Sequence, residues 1–182
     1  MSDVLASAER VGPTFSIDGM LLAREKTREA MRRIAARVKP GMVEEDAVEM
    51  AKSVLTGMGL ALSWHPTRVR LGANTIKPMK QASVPGVVLR ENDIFFIDIA
   101  PRVDAWEGDG GASFVVGQNE AYERCARDAE RLFHEVREVW EKKRLTGQAL
   151  YAFADDTARD GLGIELRSAW SPRFGFPSRN DL

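Results

Sequence analysis

Ile94-Phe95-Phe96-Ile97-Asp98-Ile99-Ala100, then Trp106-Glu107-Gly108-Asp109-Gly110-Gly111 and the apolar run Phe114-Val115-Val116, decide how this chain is read. Asp98 stands in an otherwise apolar run, and Asp109 follows eleven residues later. A carboxylate inside a buried strand is costly unless its charge is compensated. If the two runs pair as a hairpin in which facing residue numbers add to 207, the two aspartates oppose each other directly. Opposed like charges destabilise a sheet, and a bound cation turns that penalty into a site. Two plainer readings stand beside this one. Asp98 pairs with an arginine such as Arg70 or Arg102, and Asp109 is a turn residue between Gly108 and Gly110.

The chain's 182 residues suffice for one domain with a real core. A net charge of −1 carries no basic signal for nucleic acid or for an anionic membrane. Glu44-Glu45-Asp46 and Lys142-Lys143-Arg144 read as solvated helix ends. One cysteine excludes an intramolecular disulfide and fits a reducing compartment. No basic-then-apolar leader opens the sequence and no apolar stretch reaches bilayer length, so the expected location is the cytoplasm.

Residues 1–16 read as a loose arm and 17–182 as a single α+β domain, with a second half from about residue 118. Leu21, Arg24, Ala30, Met31, Ile34, Ala35 and Val38 recur at helical spacing from about Ile17 to Val38, and Pro40-Gly41 stops that helix. A second helix is expected from about Val43 to Thr56, its acids suited to the positive helix N-terminus, with Gly57 and Gly59 ending it. Strands are expected at Val69–Leu71, Val87–Leu89, Ile94–Ile99 and Ser113–Val116. A long helix then spans about Glu120 to Lys143, with Tyr122, Cys125, Ala129, Leu132, Phe133, Val136 and Trp140 as its apolar stripe. A shorter one runs from about Gln148 to Arg159, before Gly161-Leu162-Gly163. The order long helix, glycine, short helix, glycine thus occurs twice: Gly147 lies 106 residues after Gly41, and Gly163 lies 104 after Gly59. Such an echo marks duplicated units around a shared core. The first copy continues through strands to Gly117, whereas the second is shorter by roughly forty residues.

Ile97-Asp98-Ile99, Glu107-Gly108-Asp109 and the closing Phe114-Val115-Val116-Gly117 resemble the signature of the methionine aminopeptidase, prolidase and creatinase family. Lys39-Pro40-Gly41-Met42 before an acidic helix start is similar to that family's first helix junction. The resemblance covers roughly residues 17–165. It implies a pita-bread fold, a duplicated helix-helix-strand arrangement, here with an incomplete second half. It also implies a peptide substrate and two divalent ions (Mn, Co, Zn or Fe), with Asp98 as one metal ligand and Asp109 as a bridging one. Such ions, about 3.5–4 Å apart, polarise a scissile carbonyl and lower the pKa of a bridging water.

Several positions depart from the family pattern. Gly110 and Gly111 follow Asp109 where a hydroxyl residue is usual, and Ser113 is the nearest hydroxyl. Lys80 and Gln81 occupy the region of a substrate-contacting histidine. His65, in Trp64-His65-Pro66-Thr67, reads either as a loop histidine packed beside Trp64 or as the one candidate catalytic histidine near the first-half strands. His134 has no partner histidine four residues on, so it reads as part of a solvated helix face, and Cys125 reads as core. The family's third ligand, a histidine, and two later glutamates have no counterpart, since no histidine follows His134 and Glu165 is the last glutamate. Metal binding is therefore expected to be weak or absent. The tail Trp170-Ser171-Pro172-Arg173-Phe174-Gly175-Phe176-Pro177-Ser178-Arg179 is poor strand material. Read one base later, its codons allow Gly-His-Arg-Val-Ser-Asp-Phe-Pro-His, a family-like string, so a frameshift stands against genuine divergence. A third base other than A in the Ser171 codon removes the hidden histidine.

Three functions follow from this reading. The first is a metallopeptidase-like hydrolase of N-terminal or Xaa-Pro bonds, impaired by the lost ligands. The second is a non-catalytic pita-bread module that binds protein. The third is a metal-free creatinase-like hydrolase using His65. An open strand edge left by the shortened copy favours a homodimer or aggregation.

Overall fold

The computed structural model describes residues 13–78 and 80–159. Helix α1 spans Ile17–Ala35 and opens at Ser16, whose hydroxyl accepts from the Gly19 N–H. Its buried stripe is Ala23, Thr27, Ala30 and Ile34, while Leu21 is exposed. The stripe is rotated from the one expected because small side chains let α1 lie close on the sheet. Helix α2, Glu44–Gly57, ends in a Schellman turn: Gly59 has φ +72°, and the Leu60 N–H reaches the Leu55 carbonyl.

Strands β1 (Arg68–Leu71), β2 (Asp93–Ile99) and β5 (Gly110–Val116) form an antiparallel sheet in the order β1-β2-β5. Alternation divides its faces. Val69, Leu71, Phe95, Ile97 and Ile99 join Ala30, Ile34, Ala47, Ala51, Val54 and Leu55 from the helices in one core. Phe95 stacks on its cross-strand neighbour Phe114, with ring centroids 5.2 Å apart. The other face carries Arg68, Arg70, Phe96, Asp98, Gly111 and Ser113. The short strands β3 (Arg102–Val103) and β4 (Trp106–Glu107) extend the β2–β5 hairpin as a ribbon closed by a two-residue loop.

Val87–Leu89 is not a strand but a stretch tied to the helix junction. The Leu89 N–H reaches the Met42 carbonyl, and the Glu44 N–H reaches the Val87 carbonyl. Glu44 is not solvated either. It is 5% exposed, and its Oε2 accepts from the Leu71 N–H at 2.8 Å and the Asn74 side-chain amide at 2.9 Å. Glu45 accepts from the Gly86 N–H, which holds its carboxyl below the ordinary glutamate range.

Helix α3 spans Glu120–Lys143 and α4 spans Gly147–Thr157, so a second long-then-short helix pair follows the first. The stripe expected on α3 is only thinly covered: Leu132 is buried, but Phe133 and Trp140 are exposed. Cys125 is exposed and not core, a correction with the same cause: β5 and α4 are its chief described packing partners. His134 is exposed, as expected of a solvated face. Most of the loose arm, the Gly161-Leu162-Gly163 break and the tail with its frameshift reading lie outside the described residues.

Candidate metal centre

Asp98 and Asp109 do converge, but not as direct cross-strand partners. The hairpin pairs residues whose numbers add to 209, so Asp98 faces Gly111 and Ile99 faces Gly110. The loop sets this register. A two-residue turn at Asp104-Ala105, with Asp104 at φ +53°, centres the ribbon so that Arg102 pairs with Glu107 and Val103 with Trp106. Asp109 lies one residue before β5, and by alternation it shares the face of Gly111 and Asp98. This relieves the head-on opposition expected from the sequence while keeping both carboxylates at one mouth of the sheet.

The glycines after Asp109 have a packing cause. A Cβ on Gly110 would stand 2.8 Å from the Met31 Sδ and 2.9 Å from the Thr27 Cγ2 on α1. At Gly111 the nearest atom would be the Ile97 carbonyl oxygen at 3.5 Å, an ordinary contact. Close approach of helix to strand therefore leaves no room for a side chain at Gly110.

Asp98 is half-buried, and its cation is Arg68, its cross-strand neighbour, at 3.4 Å. The arginines expected from the sequence are engaged elsewhere. Arg70, 5% exposed, donates to the carbonyls of Lys77, Pro78 and Gln81, and Arg102 pairs with Glu107. Sequence alone could place Arg68 and Arg70 on one face but not fix which of them meets Asp98.

His65 reaches the same place. Its Nε2 lies 3.5 Å from Asp98 Oδ1 and 3.7 Å from Asp109 Oδ1, although its ring also packs edge-on against Trp64 at 4.7 Å. The ring packed beside Trp64 is thus also the one that lies at the carboxylates. The segment is pinned to the end of β2. The Trp64 N–H reaches the Ala100 carbonyl, the Ser63 hydroxyl lies 2.8 Å from that same carbonyl, and the Trp64 indole N–H donates to the Gly108 carbonyl at 3.0 Å. Trp64 therefore fixes His65 and the residue next to Asp109 together, a role sequence reasoning missed. His65, Asp98 and Asp109 can each offer one ligand atom within 4.8 Å of the others. One imidazole and two carboxylates are a donor set that suits a divalent ion. Beside them a cleft of about 1230 Å³ runs between the sheet, α1 and α3, and Arg24, Arg28, Phe96 and Arg127 are among its lining residues.

Two helix pairs about an antiparallel sheet, with both carboxylates on the sheet face opposite the core, define a pita-bread architecture. The X-Pro aminopeptidase from Thermotoga maritima MSB8 matches with a TM-score of 0.67 at 18% identity, over 87% of this chain and 45% of that one. The recombinant prolidase from Thermococcus sibiricus matches with a TM-score of 0.67 at 15% identity, over 87% and 43%. Zinc-substituted E. coli aminopeptidase P in complex with product matches with a TM-score of 0.59 at 17% identity, over 82% and 39%. The chain thus spans less than half the length of these structures. No curated protein matches significantly. The model of metallopeptidase family M24 matches residues 18–176, and the chain belongs to that family.

Proposed function

We propose that the chain is a metallopeptidase-type protein that holds a divalent ion at Asp98 and Asp109 and acts on the N-terminal bond of peptides, Xaa-Pro bonds among them. The observation that carries this reading is the convergence of both carboxylates at one mouth of the sheet, beside an open cleft, in a member of a metallopeptidase family. The ion, when bound, polarises the scissile carbonyl and activates water. The protein's own groups orient the peptide. Phe96 and the arginines that line the cleft face the peptide chain. Arg68 holds the Asp98 carboxylate in place.

A second reading is a peptide-binding module, supported by the open cleft beside the sheet. The test incubates the purified chain with Xaa-Pro and Met-Xaa peptides and Mn(II), Co(II) or Zn(II), and measures release of the N-terminal residue. Release that needs the ion, stops with chelator and is lost in Asp109→Asn supports the hydrolase. Peptide binding without release, with or without the ion, favours the module, and neither binding nor release contradicts both.

A further inference from the structure

We propose that His65 is itself a metal ligand, so that His65, Asp98 and Asp109 hold one divalent ion of the zinc–cobalt class using first-half residues alone. This rests on the metal reading above and extends it, because that reading requires only the two aspartates. Three observations carry it.

The first is separation. Imidazolium–carboxylate hydrogen bonds run at about 2.7–2.9 Å. His65 Nε2 stands off at 3.5 Å from one carboxylate and 3.7 Å from the other, too far to be hydrogen-bonded to either. Ligand atoms around a tetrahedral ion at about 2.1 Å lie roughly 3.4 Å apart, close to what is seen.

The second is the proton. His65 Nδ1 lies 3.0 Å from the Pro66 carbonyl oxygen, which can only accept. A proton on Nδ1 leaves a free lone pair on Nε2, the atom that lies 3.5 Å and 3.7 Å from one oxygen of each carboxylate. Metal-bound histidines show this arrangement, the far ring nitrogen donating to a carbonyl or carboxylate.

The third is orientation. The His65 side chain is 16% exposed and held edge-on by Trp64, whose indole is anchored to Gly108, the residue before Asp109. The ring and the second carboxylate are therefore positioned by one side chain. An imidazole among the ligands favours zinc or cobalt over magnesium, which prefers all-oxygen sites.

The test titrates Co(II) into the purified 182-residue chain by calorimetry and records proton NMR of the bound form. One equivalent is expected, with a hyperfine-shifted, exchangeable imidazole N–H resonance from His65. His65→Ala removes that resonance and weakens binding by at least about a hundredfold, more than loss of an outer-shell partner generally costs. Added imidazole restores part of the affinity, which a merely structural role would not allow. His65→Asn, checked for folding by circular dichroism, carries the same test if the alanine variant unfolds. If the His65 variants bind Co(II) like the parent while Asp98→Asn does not, the inference is overturned and the two-aspartate reading stands. If the parent binds no Co(II), both fall.

Discussion

Gly110 and Gly111 show what a single residue decides at this site. Gly110 faces α1, with no room for a Cβ between strand and helix, whereas Gly111 faces the open mouth beside Asp98. Gly110→Ala is expected to cost about 1–3 kcal/mol through overpacking against Thr27 and Met31. Gly111→Ala, with only an ordinary contact to meet, is expected to stay within about 0.5 kcal/mol. Urea denaturation of the two variants checks this, and equal losses would contradict the assigned facing of β5. At this scale the aspartates were legible, because a charged residue in an apolar strand stands out. Their partners were not. Which arginine meets Asp98, and where His65 points, depend on strand register and on a loop pinned from 37 residues away, neither of which periodicity reports.

Among the elements, the helices were read to within a few residues, because amphipathic spacing and glycine stops are local signals. The sheet was harder. Its register moved by two once the Asp104-Ala105 turn formed, a turn of one aspartate with positive φ that carries no glycine signal. Val87–Leu89 has strand composition but serves as a brace against Met42 and Glu44. Glu44 joins that brace to the end of β1, and the acidic cluster hides this role, because acids at a helix start are expected anyway. Glu44→Ala leaves the buried Leu71 N–H and the Asn74 amide without this acceptor. It is expected to cost about 2–4 kcal/mol, read from the chemical-denaturation midpoint. A loss below about 0.5 kcal/mol would show that water or another group replaces the carboxylate.

For the whole molecule, the family was legible because two aspartates, two apolar strands and a doubled helix pair coincide, and the family match agrees with that reading. Activity is less legible, since the chain spans less than half the length of its solved relatives and the second-half ligands have no counterpart among its histidines. What the described residues do bring together is a compact donor set. Its affinity for an ion is the point on which the functional account turns. An ion that binds only the folded state at about a hundred times its Kd stabilises by about 2.7 kcal/mol. For a domain of this size that raises Tm by roughly 5–10 °C. The decisive measurement is the melting temperature of the chain and of Asp98→Asn and Asp109→Asn, each with Zn(II) or Co(II) and with chelator. The expected result is a metal-dependent rise in the parent chain that both variants lose. An equal rise in the variants, or none in a folded parent, would contradict a metal centre built on these two aspartates.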